Sequence, residues 1–545
     1  MRTIFKRTVA VATAAVLAVS LAACGSSDDS SSGTTDPSAL PRAGAMADYG
    51  VDQQFTATEP LTFTTLFSDH PNYPMKEDWL LWKELKDRTN VTLEPTIVPM
   101  SDYEQKRSLL IGAGDAPLII PKTYPGQEIP FVSSGAILPV SDYIDLMPNF
   151  KDKVAKWKLE PELDTIRQQN GKFYILPGLH EQVWQDYTIA FRTDELQKLG
   201  LSEPKTWDDL YTVLKAIKAA NPDSYPLSDR FKGQNLLGLL SQSYGTSAGW
   251  AQPGNLTTFD QTSGKFVYSG ASPQYKAMVE YLQKLVNEGL LDPESFTQDD
   301  DTAIQKFSTG KSFAISSNAQ NIVNDLRPGI AGIEGATVAK IRVPAGPAGD
   351  VLATSRLENG VMISAKALEN PNFVAMMQFL DWLYYSDEGE EFAKWGVQPT
   401  TFTKDAAGVR TLNPEVTFAG INAGAPKHLQ KDFGFMVGNF AYGGSTELLQ
   451  SMFTPEELEF QKAVSTKQQA PLPPAHPFDD AEQEQASLYE TPLKDTQNSA
   501  TLQFILGQRD LSTWDAYVSE LQGKGMDSYV DMVNTAYERF KQQNG

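Results

Sequence analysis

Leu61-Thr62-Phe63-Thr64-Thr65-Leu66-Phe67 is the stretch on which the fold turns. Aromatic and β-branched residues dominate it, which is the composition of a strand. After the loop 68–74, Trp79, Trp82 and Leu85 recur at helical spacing up to Arg88. Residues 91–98 read as a second strand. Residues 103–111 read as a second helix, closed by Gly112-Ala113-Gly114-Asp115. Ala116-Pro117-Leu118-Ile119-Ile120 is a short apolar strand suited to burial in a parallel sheet. Strand, helix, strand, helix, strand predicts an α/β architecture. The loop 121–126 leaves the end of the last strand, and in open α/β sheets ligands gather outside such ends.

Upstream, Arg2, Lys6 and Arg7 precede an apolar run, 9–21, that leads into Leu21-Ala22-Ala23-Cys24. This is the layout of a secretory signal, and the run is shorter than the roughly 20 residues that span a bilayer. Cys24 is the only cysteine among 545 residues and stands where cleavage falls. The stretch resembles a bacterial lipobox. That resemblance implies a signal peptide over 1–23, lipidation of Cys24, and attachment to the outer face of the cytoplasmic membrane. Residues 24–58 are rich in Ser, Asp, Thr and Gly and are expected to form a flexible linker. The remaining body, roughly 485 residues, exceeds what one core holds and predicts at least two domains.

The net charge of −22 argues against nucleic acid and against docking on anionic lipid. No later apolar run is long enough to cross a membrane. His70, His180, His428 and His476 are the only histidines and make no zinc spacing. Neither a metal nor a cofactor is expected.

Further along, Asn170-Gly171-Lys172-Phe173-Tyr174 reads as a turn into a strand that closes at Ile175-Leu176-Pro177-Gly178. A polar-aromatic segment, 180–187, leads into a strand, 188–192. Thr206 and Asp209 make a capping-box pattern, and Trp207, Leu210, Tyr211, Leu214 and Ile217 share one helix face. Phe313-Ala314-Ile315 and Val361-Met362-Ile363 read as strands. Asn370-Pro371 opens a helix carrying Phe373, Met376, Met377 and Leu380. Periodicity weakens from Gly396 to about Pro477. The chain ends in two helical stripes, one from Trp514 to Leu521 and one from Val530 to Phe540.

In order and spacing, several of these stretches resemble the extracellular solute-binding proteins of ATP-driven importers. The likeness is to the large lipoprotein branch that handles oligosaccharides in Gram-positive bacteria, related to the alginate- and maltodextrin-binding proteins. Gly171 to Pro177, Ala190-Phe191-Arg192-Thr193-Asp194-Glu195-Leu196, Lys205-Thr206-Trp207-Asp208-Asp209-Leu210 and Phe504-Ile505-Leu506-Gly507 carry it, with Trp514-Asp515-Ala516-Tyr517 and Gly525-Met526-Asp527. The resemblance implies a two-lobed, type II periplasmic-binding-protein-like α/β fold with a ligand cleft between discontinuous lobes. It places an N-lobe at 59–177 and 357–425 and a C-lobe at 178–356 and 426–545. It also implies a monomer without enzymatic activity that closes on an oligosaccharide and meets the permease subunits of an ABC transporter. Two segments depart from the pattern. Asn221-Pro222-Asp223-Ser224-Tyr225-Pro226 stands where some members carry a calcium loop, yet it offers one carboxylate, and calcium takes six to eight oxygens. Gly396-Val397-Gln398-Pro399 lacks the usual Gly- and Glu-bearing form. Two other functions compete: an oligopeptide-binding protein of similar length, and a surface-anchored glycoside hydrolase with a facing carboxylate pair. Gly245-Thr246-Ser247-Ala248-Gly249 matches the nucleophile-elbow string but lacks a strand before it.

Sugars offer flat apolar faces for aromatic rings and hydroxyl rims for planar polar groups. Trp184, Tyr187, Tyr244, Trp250 and Trp395 lie in or beside loops at element ends and are the candidate stacking residues. Asp69, Tyr124, Glu181, Gln185, Asn318, Arg356 and Gln398 are the candidate polar partners. No basic cluster occurs among them, so a neutral oligosaccharide is expected. Trp79, Trp82, Trp207 and Trp514 lie on helix stripes and are expected in the core.

Overall fold

The computed structural model describes residues 39–251, 256–352 and 355–544. Twelve strands carry the architecture: β1 Leu61–Asp69, β2 Val91–Pro99, β3 Ile119–Thr123, β4 Leu176–Leu179, β5 Thr188–Arg192, β6 Leu227–Ser228, β7 Thr257–Asp260, β8 Lys265–Tyr268, β9 Ala314–Ser317, β10 Val338–Ile341, β11 Val351–Leu352 and β12 Leu357–Ile363. One sheet runs β2-β1-β3-β12-β4, and the other runs β10-β5-β9-β6. In the first, β1 pairs in parallel with β2 from Leu61↔Val91 to Asp69↔Pro99, as the strand–helix–strand reading predicts. The returning strand β12 lies antiparallel to both β3 and β4.

Each sheet has its own core. Phe63, Trp79, Phe379 and Trp382 lie in the first, and Trp207, Leu240, Leu282 and Tyr517 in the second. The fold is therefore a two-lobed α/β structure in which the chain leaves the first lobe after β4 and re-enters it at β12. Trp207, Trp514 and Trp79 are buried, and Trp82 packs half-buried against the first core. The helix Trp207–Ala220 starts with the capping box read from sequence. Asp209 N donates to Thr206 Oγ1 at 3.0 Å, and Thr206 N donates back to the Asp209 carboxylate at 3.0 Å. In the helix Phe373–Tyr385 every residue is buried, so it is hydrophobic all round and runs through the first core.

Two expectations are corrected. Residues 39–58 are not a flexible linker. Leu40, Phe55 and Ala57 are part of the first core. Met46 N donates to Gln378 Oε1 at 2.9 Å, and Tyr49 OH donates to the Asp381 carboxylate at 3.0 Å. A few apolar anchors spaced among polar residues hold this segment, and composition averages them away. The second correction concerns residues 426–452, expected in the C-lobe. Leu429, Phe433, Phe435, Phe440, Leu448 and Met452 pack in the first core. The chain rejoins the second lobe near Phe478, ahead of the helix Asp480–Ile505. Three segments thus cross between lobes: β4 to β5, β10 to β12, and the stretch from Gly443 to Phe478. Cys24 lies outside the described residues.

Candidate functional site

One carboxylate touches all three crossings. Glu358 on β12 lies 2.9 Å from His180 Nε2, just past β4, and accepts from Gly443 N at 3.0 Å. Burial alone raises the pKa of a carboxyl, but the His180 contact, the Gly443 amide and the Lys394 ammonium outweigh it. The Glu358 carboxyl is held below its ordinary value.

Each lobe contributes a group of side chains near this junction. The first-lobe wall begins at the end of β3. Lys122 N donates to Tyr442 OH at 2.7 Å, and Tyr124 follows, 45% exposed. Desolvation pushes the Tyr124 phenol up to about 12, and the charges of Glu358, Glu104 and Asp186 add to the shift. Desolvation also lowers the Lys122 pKa, with Glu358 opposing. At the end of β1, Asp69 Oδ1 accepts from Met75 N at 2.7 Å and fixes the loop in which His70 stacks on Tyr73 at 4.2 Å.

The second-lobe wall is aromatic. Tyr187, entering β5, lies edge-on to Trp250 at 5.2 Å and to Phe231 at 5.8 Å, and Phe231 lies 4.5 Å from Trp250. Trp250 is 49% exposed. Beside it, Asn318 Nδ2 donates to Asp186 at 3.0 Å. Burial raises the Asp186 pKa despite that bond. The Tyr187 phenol is raised by burial, and then by Asp186, with Tyr124 of the opposite lobe contributing.

Of the candidate residues, Tyr124 stands on the first-lobe group, and Tyr187, Trp250 and Asn318 on the second. Trp184 is half-buried at the crossings, stacked on Phe453 at 5.9 Å. Glu181 accepts from Thr446 N at 2.8 Å. Gln185 is buried, its main chain bridged by Gln461. Three candidates are corrected. Tyr244 is 7% exposed, in the second core against Tyr281. Trp395 is 1% exposed, in the first core, with Nε1 donating to Ser451 Oγ at 3.1 Å. Arg356 is saturated by protein partners: the Glu162 carboxylate and the carbonyls of Trp157, Lys158 and Glu181. Gln398 is exposed and accepts from Lys404 N, away from the residues above.

Sequence reasoning missed Asp186 and Phe231. Asp186 lies inside the segment 180–187 already singled out. Phe231 follows β6, whose two residues are too short for any periodicity to show. Ser247, within the elbow-like string, follows a helix and donates to the Ala251 carbonyl at 2.7 Å. Among the described residues no group of three or more His, Cys, Asp or Glu could hold a metal ion. No described helix is long and apolar enough to cross a membrane.

Over residues 73–390 the chain matches the family described as Bacterial extracellular solute-binding protein. It belongs to that family. This solute-binding protein is 23% identical, over 98% of both chains, to the fructooligosaccharide ABC transporter substrate-binding protein FusA of Streptococcus pneumoniae. It is 27% identical to the polygalacturonan/rhamnogalacturonan-binding protein YtcQ of Bacillus subtilis over 44% of its own length and 47% of that protein. Among solved structures, the alginate-binding protein AlgQ2 without calcium ion superposes with a TM-score of 0.70 at 20% identity, covering 89% of this chain and 100% of that one. FusA in complex with kestose superposes at 0.64 and 20% identity, with coverage of 89% and 100%. These likenesses fix the fold as the two-lobed type II periplasmic-binding-protein-like class.

Proposed function

We propose that this solute-binding protein is the lipid-anchored binding component of an ABC importer. It captures a neutral oligosaccharide between its lobes and delivers it to the membrane permease, with Cys24 as the anchor. The observation that carries this reading is the ring group Tyr187, Phe231 and Trp250 facing Tyr124 across the gap. Rings of this kind stack on sugar faces, while Asn318 and Asp186 offer planar polar groups to the hydroxyl rim. Its relatives, a fructooligosaccharide-binding and a polygalacturonan/rhamnogalacturonan-binding protein, support an oligosaccharide ligand. The Glu358 junction is where closure bends, in the hinge motion of periplasmic binding proteins. The relatives are substrate-binding proteins, which supports a binding role without catalysis.

A glycan array with the purified body tests this, followed by calorimetry on the strongest binder. Truncating a central aromatic anchor costs about 2 kcal/mol or more, so Trp250→Ala is expected to weaken binding at least ~10-fold with an unchanged melting temperature. Absence of any glycan binding overturns the reading.

A further inference from the structure

Two unfavourable features sit together behind the second-lobe wall. Phe231, Lys232 and Gly233 have φ of 57°, 55° and 78°, three successive residues in the left-handed region. Side chains rarely adopt that conformation, and such backbone persists where its surroundings over-determine it, often at ligand clamps. Here Asp300 holds the turn. Its Oδ1 accepts from Phe231 N at 3.0 Å and its Oδ2 from Arg230 Nη2 at 3.1 Å. At Gly233 a Cβ would stand 2.4 Å from the Phe296 ring, so only glycine fits.

The second feature is Arg230 itself. It is 6% exposed, and neither its Nε nor its Nη1 has a hydrogen-bond partner. A buried donor left unpaired is costly, and proteins keep few of them. The guanidinium lies 4.8 Å over the Phe231 ring, and Phe231 in turn packs on Trp250. Phe231 thus stands between the unused donors and the exposed Trp250, and a ligand reaches them only where Phe231 moves aside.

We propose that Arg230 is the specificity-determining residue of the second-lobe wall: Nε and Nη1 donate to hydroxyl oxygens of a neutral sugar ring stacked on Trp250, while Asp300 fixes the guanidinium. This rests on the oligosaccharide reading above. The ligand is neutral because Asp300 already places a carboxylate on the guanidinium. A sugar carboxylate arriving there meets like charge at short range.

The test uses the wild-type protein, Arg230→Lys, Arg230→Gln and Trp250→Ala. An array of neutral and uronate-containing oligosaccharides selects the probe, and calorimetry and melting temperature are measured for each variant. Lysine keeps the charge beside Asp300 but lacks the planar donors, and it guards against a glutamine variant that fails to fold. The expected result is a neutral probe whose affinity falls at least tenfold in Arg230→Lys, with melting within a few degrees of wild type. Arg230→Lys binding within twofold of wild type overturns the role of Arg230. If Trp250→Ala still loses binding in that case, the oligosaccharide reading stands without it. Response to uronates alone overturns the neutral class, and no response to any sugar overturns both readings together.

Discussion

On the first lobe, groups near the gap are fixed by ions and main chain. Ser68 and Asn439 exchange two hydrogen bonds, Lys122 N rests on Tyr442, and Glu358 holds His180 and Gly443. On the second lobe, Tyr187, Phe231 and Trp250 hold one another ring to ring over a left-handed turn. The first wall is assembled from five stretches far apart in the chain and carries one exposed ring, Tyr124. The second packs its rings on one another and leaves Arg230 donors unpartnered. On the function proposed above, the first wall takes the larger share of position-keeping and the second the larger share of ligand contact.

That division can be broken at Glu358. The Glu358 side chain is 33% exposed, and hydrogen bonds to a charged group contribute about 1.5–3 kcal/mol, so Glu358→Ala should show a loss of that size in denaturant unfolding. A cost below about 1 kcal/mol, as for a surface ion pair, would show that the junction is not a structural tie.

Two tryptophans sharpen the contrast. Trp395→Ala should cost about 3–5 kcal/mol of stability and leave sugar affinity alone. Trp250→Ala should do the reverse. A matching loss of stability in both would erase the distinction between core ring and platform.

The walls also differ in their response to pH. Burial raises Asp229, behind the second wall, from 3.8 to about 7. Its folded state binds the proton more tightly, so its contribution is full below pH 3.8 and is lost as pH rises toward 7. Glu358 is depressed instead, so its contribution is present above 4.5 and is lost as pH falls further. Asp229→Asn should flatten the decline in stability between pH 4 and 7, where one group changes the slope by at most about 1.4 kcal/mol per pH unit. An unaltered slope would show that Asp229 is ionised in the fold. The smallest effect is expected at the exposed Lys76–Asp432 pair, 3.3 Å apart, where Lys76→Ala should change stability by less than about 1 kcal/mol.

The sequence was most legible where one short segment makes a whole element. The parallel pairing of β1 with β2, the capped helix at Thr206 and the core tryptophans follow from local spacing. The ring Tyr187 and the exposed Trp250 were recoverable because loops at strand and helix ends are where aromatic residues lack a core to enter. Trp395 and Tyr244 show the limit of that argument. Each ends a helix, but the 426–452 segment covers Trp395 with Ser451, and Tyr281 covers Tyr244. Those covers come from far along the chain, and no periodicity announces them. Arg356 looked available for the same reason, because its four partners are brought to it only by tertiary folding.

The packed segment 39–58 has a consequence for how the molecule sits at a surface. Tyr49 and Phe55 fasten it to the first lobe, so the anchor proposed at Cys24 would act on that lobe, about 15 residues away and at most ~50 Å in reach. The fastening is to one lobe alone. On the lipid-anchored reading proposed above, the first lobe would be the moored half, and closure on a ligand would swing the second lobe with its aromatic wall.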